Sequence, residues 1–232
     1  LSHAAFFGIG AYVTAIIATK YGVAFPLTLF ASVGFTAIVG MLVALPALRI
    51  GGDYLVIVTL ALQVIVITVI LNWNSMTGGT DGIRAIPHIA IFGSNLDSAA
   101  KMLPVSALLS AISVWIAWRL AHSPFGRSLR AMRENEAATQ AVGKDVVAMK
   151  VQVFAFSAGL AAVAGSLFAH YISFVSAESF PFDLTIYMLA MVILGGTGNL
   201  AGSVLGAVLL VALPELLKFV ALPPDVADKL RN

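Results

Sequence analysis

Cysteine is absent from the 232 residues, and charge is scarce: 10% of the chain is Asp, Glu, Lys or Arg, against about a quarter in an ordinary soluble domain. The first absence removes disulfides, thiolate metal sites and cysteine nucleophiles together. The second leaves too little charge for a water-covered surface. His3, His88, His122 and His170 are too scattered to suggest a ligand cluster, so no bound metal is expected. No Gly-x-x-x-x-Gly-Lys-Ser/Thr run occurs, so the chain is not expected to hydrolyse ATP by itself, and no cofactor is assigned to it. The net charge of +2 comes mainly from one loop without interleaved aromatics, which argues against nucleic acid as a partner. A basic signal-peptide n-region is missing too. The chain opens directly on Leu1-Ser2-His3-Ala4-Ala5-Phe6-Phe7, so residues are expected to precede Leu1, and a second truncation after Asn232 is left open.

What the chain has is apolar length. It is 60% hydrophobic, with a mean hydropathy of +0.99. A bilayer core about 30 Å thick is crossed by about 20 apolar residues at roughly 1.5 Å rise each. Runs of that kind fall at 4–19, 26–48, 54–72, 103–121 and 151–172, with a further run over 184–221 that is broken near Gly195-Gly196. The expected fold is all-α: a polytopic membrane helix bundle of about five helices plus a Gly-interrupted pair. Strands are disfavoured, because the runs are long, lack alternation, and would need a closed barrel to satisfy their backbone in lipid.

Basic residues orient the spans. Arg119, Arg127, Arg130, Arg133, Lys144 and Lys150 lie in or beside the segment joining the fourth and fifth helices, and the positive-inside rule puts that segment in the cytoplasm. Alternation then places the turn Arg49-Ile50-Gly51-Gly52-Asp53 inside and the polar stretch from Asn72 to Lys101 outside. Within the spans the polar groups are mostly neutral: Thr14, Thr36, Thr59, Gln63, Thr68, Ser110, Gln152, Ser157 and Ser166. Together with Ala161, Gly165 and Ala169 at spacing four, they suit helix packing, with pathway lining as the alternative. His170 and Glu215 stand near span ends, where interfacial snorkelling is the expectation. Carriers driven by ion gradients generally need intramembrane carboxylates, histidines or unwound ion sites. The central spans hold no carboxylate, lysine or arginine, so the energy of any pumping is expected from another polypeptide.

Between Pro124 and Asp145 the sequence is helix-forming and bounded by a proline and a glycine. Arg130 with Glu134, and Arg133 with Glu136, are spaced to pair. Leu129, Met132 and Val142 supply a weak apolar face, and Gly143 suits a helix end. A solvated connecting helix and a docking helix for a cytoplasmic motor both fit this composition. Thr77, Gly78, Gly79, Thr80, Asp81 and Gly82 form a polar Gly-rich stretch that either makes connecting turns or acts as an external gate or partner surface. Gly195, Gly196, Gly198 and Asn199 interrupt the last apolar run. An unsatisfied backbone in lipid is costly, so the break is expected to be an interhelical turn or a re-entrant junction.

Glu136-Ala137-Ala138 followed by Gly143 resembles the EAA loop with which permease subunits of ABC importers seat a coupling helix on their ATPase, with four intervening residues where three are usual. Four longer blocks carry a wider resemblance. These are Leu1 to Tyr12 (LSHAAFFGIGAY), Leu48 to Leu60 (LRIGGDYLVIVTL), Thr77 to Ile83 (TGGTDGI) and Leu194 to Gly202 (LGGTGNLAG). In this order they are similar to branched-chain amino acid permeases of the LivM type. Gln63 and Val64 follow Thr59-Leu60 where that family often carries a carboxylate, and Ala177 replaces a frequent proline.

The resemblance implies one transmembrane permease domain over 1–232, with a cytoplasmic coupling segment at 123–149, in a multi-pass protein of the bacterial inner membrane. It further implies a second permease subunit, two cytoplasmic ATP-binding subunits that use the ATP, and a periplasmic or extracellular substrate-binding protein. Branched-chain amino acids are the expected cargo, with urea or short amides as alternatives in the same family. A secondary transporter or channel not driven by ATP, suggested by the Gly-interrupted helices in both halves, and a membrane scaffold without transport activity are the rivals.

Overall fold

The computed structural model describes residues 2–50, 54–91 and 94–219, which divide into two compact units, Leu1–Phe182 and Asp183–Asn232. In the first unit the order is α1 (His3–Tyr21), α2 (Phe25–Ile50), α3 (Tyr54–Asn72), the single turn α4 (Asn74–Thr77), α5 (Ala99–His122), α6 (Pro124–Glu134), α7 (Glu136–Ala141) and α8 (Val146–Ile172). Two-residue strands β1 (Ile83–Arg84), β2 (Ala90–Ile91), β3 (Ser94–Asn95) and β4 (Phe174–Val175) decorate the connections, β1 pairing with β4 and β2 with β3, both antiparallel. The second unit carries most of α9 (Phe182–Gly195) and all of α10 (Leu200–Phe219).

Among the described residues five helices are long and apolar enough to cross a membrane, or six if α3 is counted with the turn after it, from which it is bent by 79°. The all-α membrane bundle expected from the apolar runs is therefore present, and each run coincides with a helix to within a few residues. The bend after α3 is an addition, because a plain polar connection was expected from Asn72 onward. At the bend, the Thr77 hydroxyl donates to Ile70 O at 2.6 Å and stands 2.8 Å from Trp73 O, tying the chain back onto α3. The turn Gly51-Gly52-Asp53 lies outside the described residues.

α8 is the mast of the first unit, packing along α1 and α2 more extensively than other pairs of that unit's elements do among the described residues. Small residues permit it. A Cβ on Gly10 would lie 2.5 Å from Ala162 Cα, and one on Gly165 would run into Phe7 O and stand 2.8 Å from Ala11 N. The backbones thus meet across a seam without side chains, the device membrane helices use where lipid offers no hydrophobic drive between them. Ser32 Oγ donates to Gly10 O at 2.8 Å, adding α2 to the same point. Beyond α8 the chain folds back, and Phe180, 2% exposed, closes an aromatic cluster with Phe7 at 5.3 Å and Phe168 at 6.0 Å between ring centroids.

In the second unit Asn199 Oδ1 accepts from Gly202 N at 3.2 Å, capping α10. A Cβ on Gly206 would strike Met191 O, and Tyr187 donates to Leu210 O at 2.8 Å. α9 and α10 are thus a close-packed helical hairpin, with Gly196 to Asn199 forming the turn between them, a geometry common to both expectations for this break.

Replacing Gly165 by Ala should destabilise the detergent-solubilised protein by about 1–3 kcal/mol through overpacking, seen as a lower Tm. Gly34→Ala, where a Cβ meets nothing within 4 Å, should leave Tm level or raise it through better helix propensity. Equal Tm values for the two variants would contradict the seam.

Candidate functional site

The basic segment expected to dock a motor folds as two helices, not one. Ser123 caps α6, its hydroxyl oxygen accepting from Gly126 N at 3.2 Å, with Pro124 at the first helical position, where its missing N–H has no consequence. Asn135 then breaks the run: its backbone is extended (φ −155°, ψ 106°), and its Oδ1 accepts from Ala138 N at 2.9 Å. This is the usual behaviour of an asparagine offered an N-cap in place of a helix interior. α7 ends at Ala141, and Gly143 takes φ 80° in the turn to α8, a left-handed conformation glycine adopts without penalty.

Glu136, Ala137 and Ala138 all lie exposed on α7, and Gly143, Arg130 and Arg133 are exposed as well. The ion pairs expected from spacing do not form. Glu136 is held by Lys150 in the second turn of α8, with Nζ 2.8 Å from each carboxylate oxygen. The break at Asn135 turns Glu136 away from the helical register that would have set it beside Arg133. Of the weak apolar face, Leu129 and Met132 are half-buried and Val142 is 80% exposed. Between α6 and α7 lies a groove of about 360 Å³ lined by residues including Ala131, Asn135, Thr139 and Val142.

At the other end of α8, 27 residues and roughly 40 Å away along the helix axis, the Gly-rich stretch forms a tight cap. Gly78, Gly79 and Gly82 all have positive φ, of 75°, 58° and 66°, through a 3-10 turn at Gly79–Asp81. Ile83 pairs with Val175 and Arg84 with Phe174, and Ile86 N donates to Ser173 O at 3.2 Å. Thr80 and Asp81 are exposed on it. Turns of this kind are common to both expectations for the stretch, a plain connection and an external gate or partner surface.

His170 is where the expectation of snorkelling fails: it is 2% exposed. A carbonyl only accepts, so Nδ1 carries a proton and donates to Pro87 O at 2.7 Å. Nε2 lies 3.2 Å from Thr28 Oγ1, which is also 2.8 Å from Phe25 O. The edge of Phe25 closes the ring's side, with centroids 5.2 Å apart. His88 adds a bond from Nδ1 to His170 O at 3.2 Å. The histidine thus joins α8, α2 and the 86–89 segment, three pieces far apart in sequence, and only its polarity near a span end hinted at any role.

Inside the bundle Thr14, Thr36, Thr59, Gln63 and Ser166 are buried, while Thr68, Ser110 and Gln152 are exposed. The hydroxyls of Tyr12, Thr14, Thr36 and Ser166 have no hydrogen-bond partner among the described residues. A buried orphan of this kind costs about 1–3 kcal/mol. No group of three or more metal-ligating side chains occurs among the described residues.

Two ends built differently, a basic helix pair and a strand-stitched cap joined by one long apolar helix, are the frame in which relatives can be compared. Residues 1–231 match the family described as the permease component of the branched-chain amino acid transport system. The chain belongs to that permease family. It is 35% identical over 94% of its length to the high-affinity branched-chain amino acid transport system permease protein LivM of Salmonella typhimurium, and equally to that of Escherichia coli, covering 57% of each. A probable LivM of Methanocaldococcus jannaschii is 34% identical over 78% of the chain, which covers 52% of that protein. The permease chain thus spans about half the length of these curated relatives. A more distant likeness, 31% identity over 52% of the chain, is to the autoinducer 2 import system permease protein LsrC of Photorhabdus laumondii, of which 38% is covered. No solved structure matches the chain.

His170→Ala should free the cap without unfolding the bundle. Loss of the Pro87 and Thr28 bonds, worth about 1–2 kcal/mol together, should speed hydrogen exchange at the Ile86 amide several-fold while leaving the amides of α7 unchanged. Unaltered exchange at Ile86 would mean that the β1–β4 pairing holds the cap alone.

Proposed function

We propose that the permease is the membrane-spanning subunit of an ATP-driven importer for branched-chain amino acids in the bacterial inner membrane. The observation that carries this is the family match over residues 1–231, joined to an exposed helix pair presenting Glu136-Ala137-Ala138 and Gly143 at one end of α8. In this scheme the basic end is cytoplasmic, as the arginines of α6 favour, and α6 and α7 seat on a separate ATPase. The partners are a second permease, two ATP-binding subunits and an external substrate-binding protein that meets the cap containing Thr77 to Gly82. ATP is consumed by the partners.

Mechanically, ATP would draw the two motor subunits together and shift α7, and the permease pair would exchange an outward-open for an inward-open arrangement. Such a switch needs the motor to bind the two arrangements with different affinity. An apolar interior with neutral hydroxyls suits an aliphatic amino acid. The likeness to an autoinducer 2 permease favours a second reading, in which the cargo is another small polar metabolite and the motor scheme is unchanged.

Affinity purification of the full-length protein from its native membrane should recover two ATPase subunits and a second permease by mass spectrometry. Recovery of the protein alone, from a preparation that still transports, would replace the motor scheme with gradient-driven transport. Replacing Glu136 and Gly143 together should leave the protein in the membrane and uncouple ATP hydrolysis from uptake, so that hydrolysis no longer drives import. Unchanged substrate uptake in vesicles would remove α7 from the mechanism.

A further inference from the structure

Building on the docking role given above to α6 and α7, we propose that Lys150 is the positioning residue that straps α7 to α8, so that displacement of α7 is carried into the bundle and not absorbed at the turn between them. The turn itself is weakly built. Gly143 is exposed with φ 80°, and a Cβ there would meet nothing within 4 Å. The glycine is therefore required by the backbone conformation and not by a neighbour. Backbone bonds from Val142 N to Ala138 O, Gly143 N to Gln140 O and Lys144 N to Thr139 O close the end of α7 onto itself. None of these three bonds crosses from α7 to α8.

Across this turn the ammonium of Lys150 stands 2.8 Å from both Glu136 oxygens, although the residues are 14 apart in sequence. The ammonium, a compact charge with three donors, sits astride the carboxylate and fixes where it lies. The side chains are 31% and 49% exposed, and a pair so open to water contributes little to folding. Its consequence is orientation. Glu136 opens α7, and Lys150 lies in the second turn of α8 directly after buried Val146 and Met149. The strap therefore joins the first residue of the docking helix to a point of α8 that is already anchored. From there α8 runs past the Ala162 and Gly165 contacts with α1 to His170 beneath the cap. A push on α7 thus has a stiff route along α8 into the bundle while the strap is closed, and bends the Gly143 turn more readily when it is open.

The test uses the complete importer purified with its partners and reconstituted into proteoliposomes. Three forms are compared with wild type: Lys150→Met, which keeps the aliphatic stem, Glu136→Gln, and the charge exchange Glu136→Lys with Lys150→Glu. Lys150→Met is expected to keep its ATPase subunits and its hydrolysis rate while losing several-fold in substrate moved per ATP; the exchange, which also alters the docking face, is read by the distance measurement that follows. A second measurement does not depend on transport. Spin labels at exposed Gln140 and Val147 should show a broader distance distribution in Lys150→Met and a narrow one in the exchange. Wild-type coupling and an unbroadened distribution in Lys150→Met, or a distribution in the exchange as broad as that in Lys150→Met, would overturn the strap while leaving the docking role intact. Failure of the wild-type chain to recover any ATPase would overturn the docking role and the strap with it.

Discussion

The structure of the first unit depends on how closely α8 can approach α1 and α2. In lipid there is no gain from hiding one apolar helix behind another, so association rests on van der Waals contact and hydrogen bonds. Both need backbones near each other. Gly10 against Ala162 and Gly165 against Phe7 and Ala11 supply the approach, Ser32 adds a hydroxyl bond to Gly10 O, and Phe180 seals one end of the seam. A helix held this firmly can present structure at both ends.

Those ends are built by opposite means. One uses helix caps, Ser123, Asn135 and Asp145, each with a side-chain oxygen that accepts the backbone N–H three residues on. Caps of this sort are local, so the shape of α6 and α7 is set mainly within the segment itself. The other end uses long-range partners: short strands paired across ninety residues of chain and a buried histidine whose ring nitrogens reach Pro87 and Thr28. It is therefore stitched to α8 and α2 directly.

The helices were legible because apolar length is a direct statement about the solvent. The run 151–172 became the long α8, and the break at Gly195-Gly196 became the turn between α9 and α10. Helix ends marked by residue chemistry were legible too: Pro124 begins α6, and Gly143 follows the end of α7. Within the basic segment the division at Asn135 escaped notice, because Arg133, Glu134, Glu136 and Ala137 around it are all helix-compatible and only its own side chain prefers a cap. Once the helix divides there, the i, i+3 partner of Glu136 is lost and Lys150 takes its place.

By itself, then, the sequence determined the solvent, the number and extent of the apolar helices, the family, and the concentration of positive charge in one connection. All of these follow from composition and order along the chain, where each residue's contribution is independent of distant neighbours. Tertiary structure alone decided which polar residues are buried, that His170 points into the protein and not toward the interface, and that Glu136 pairs with a lysine on the next helix. Those outcomes depend on where helices cross and how near their backbones come. Such distances arise from side-chain volumes at contacts between residues remote in sequence, such as Gly10 with Ala162 and Thr28 with His170, and no local pattern encodes them.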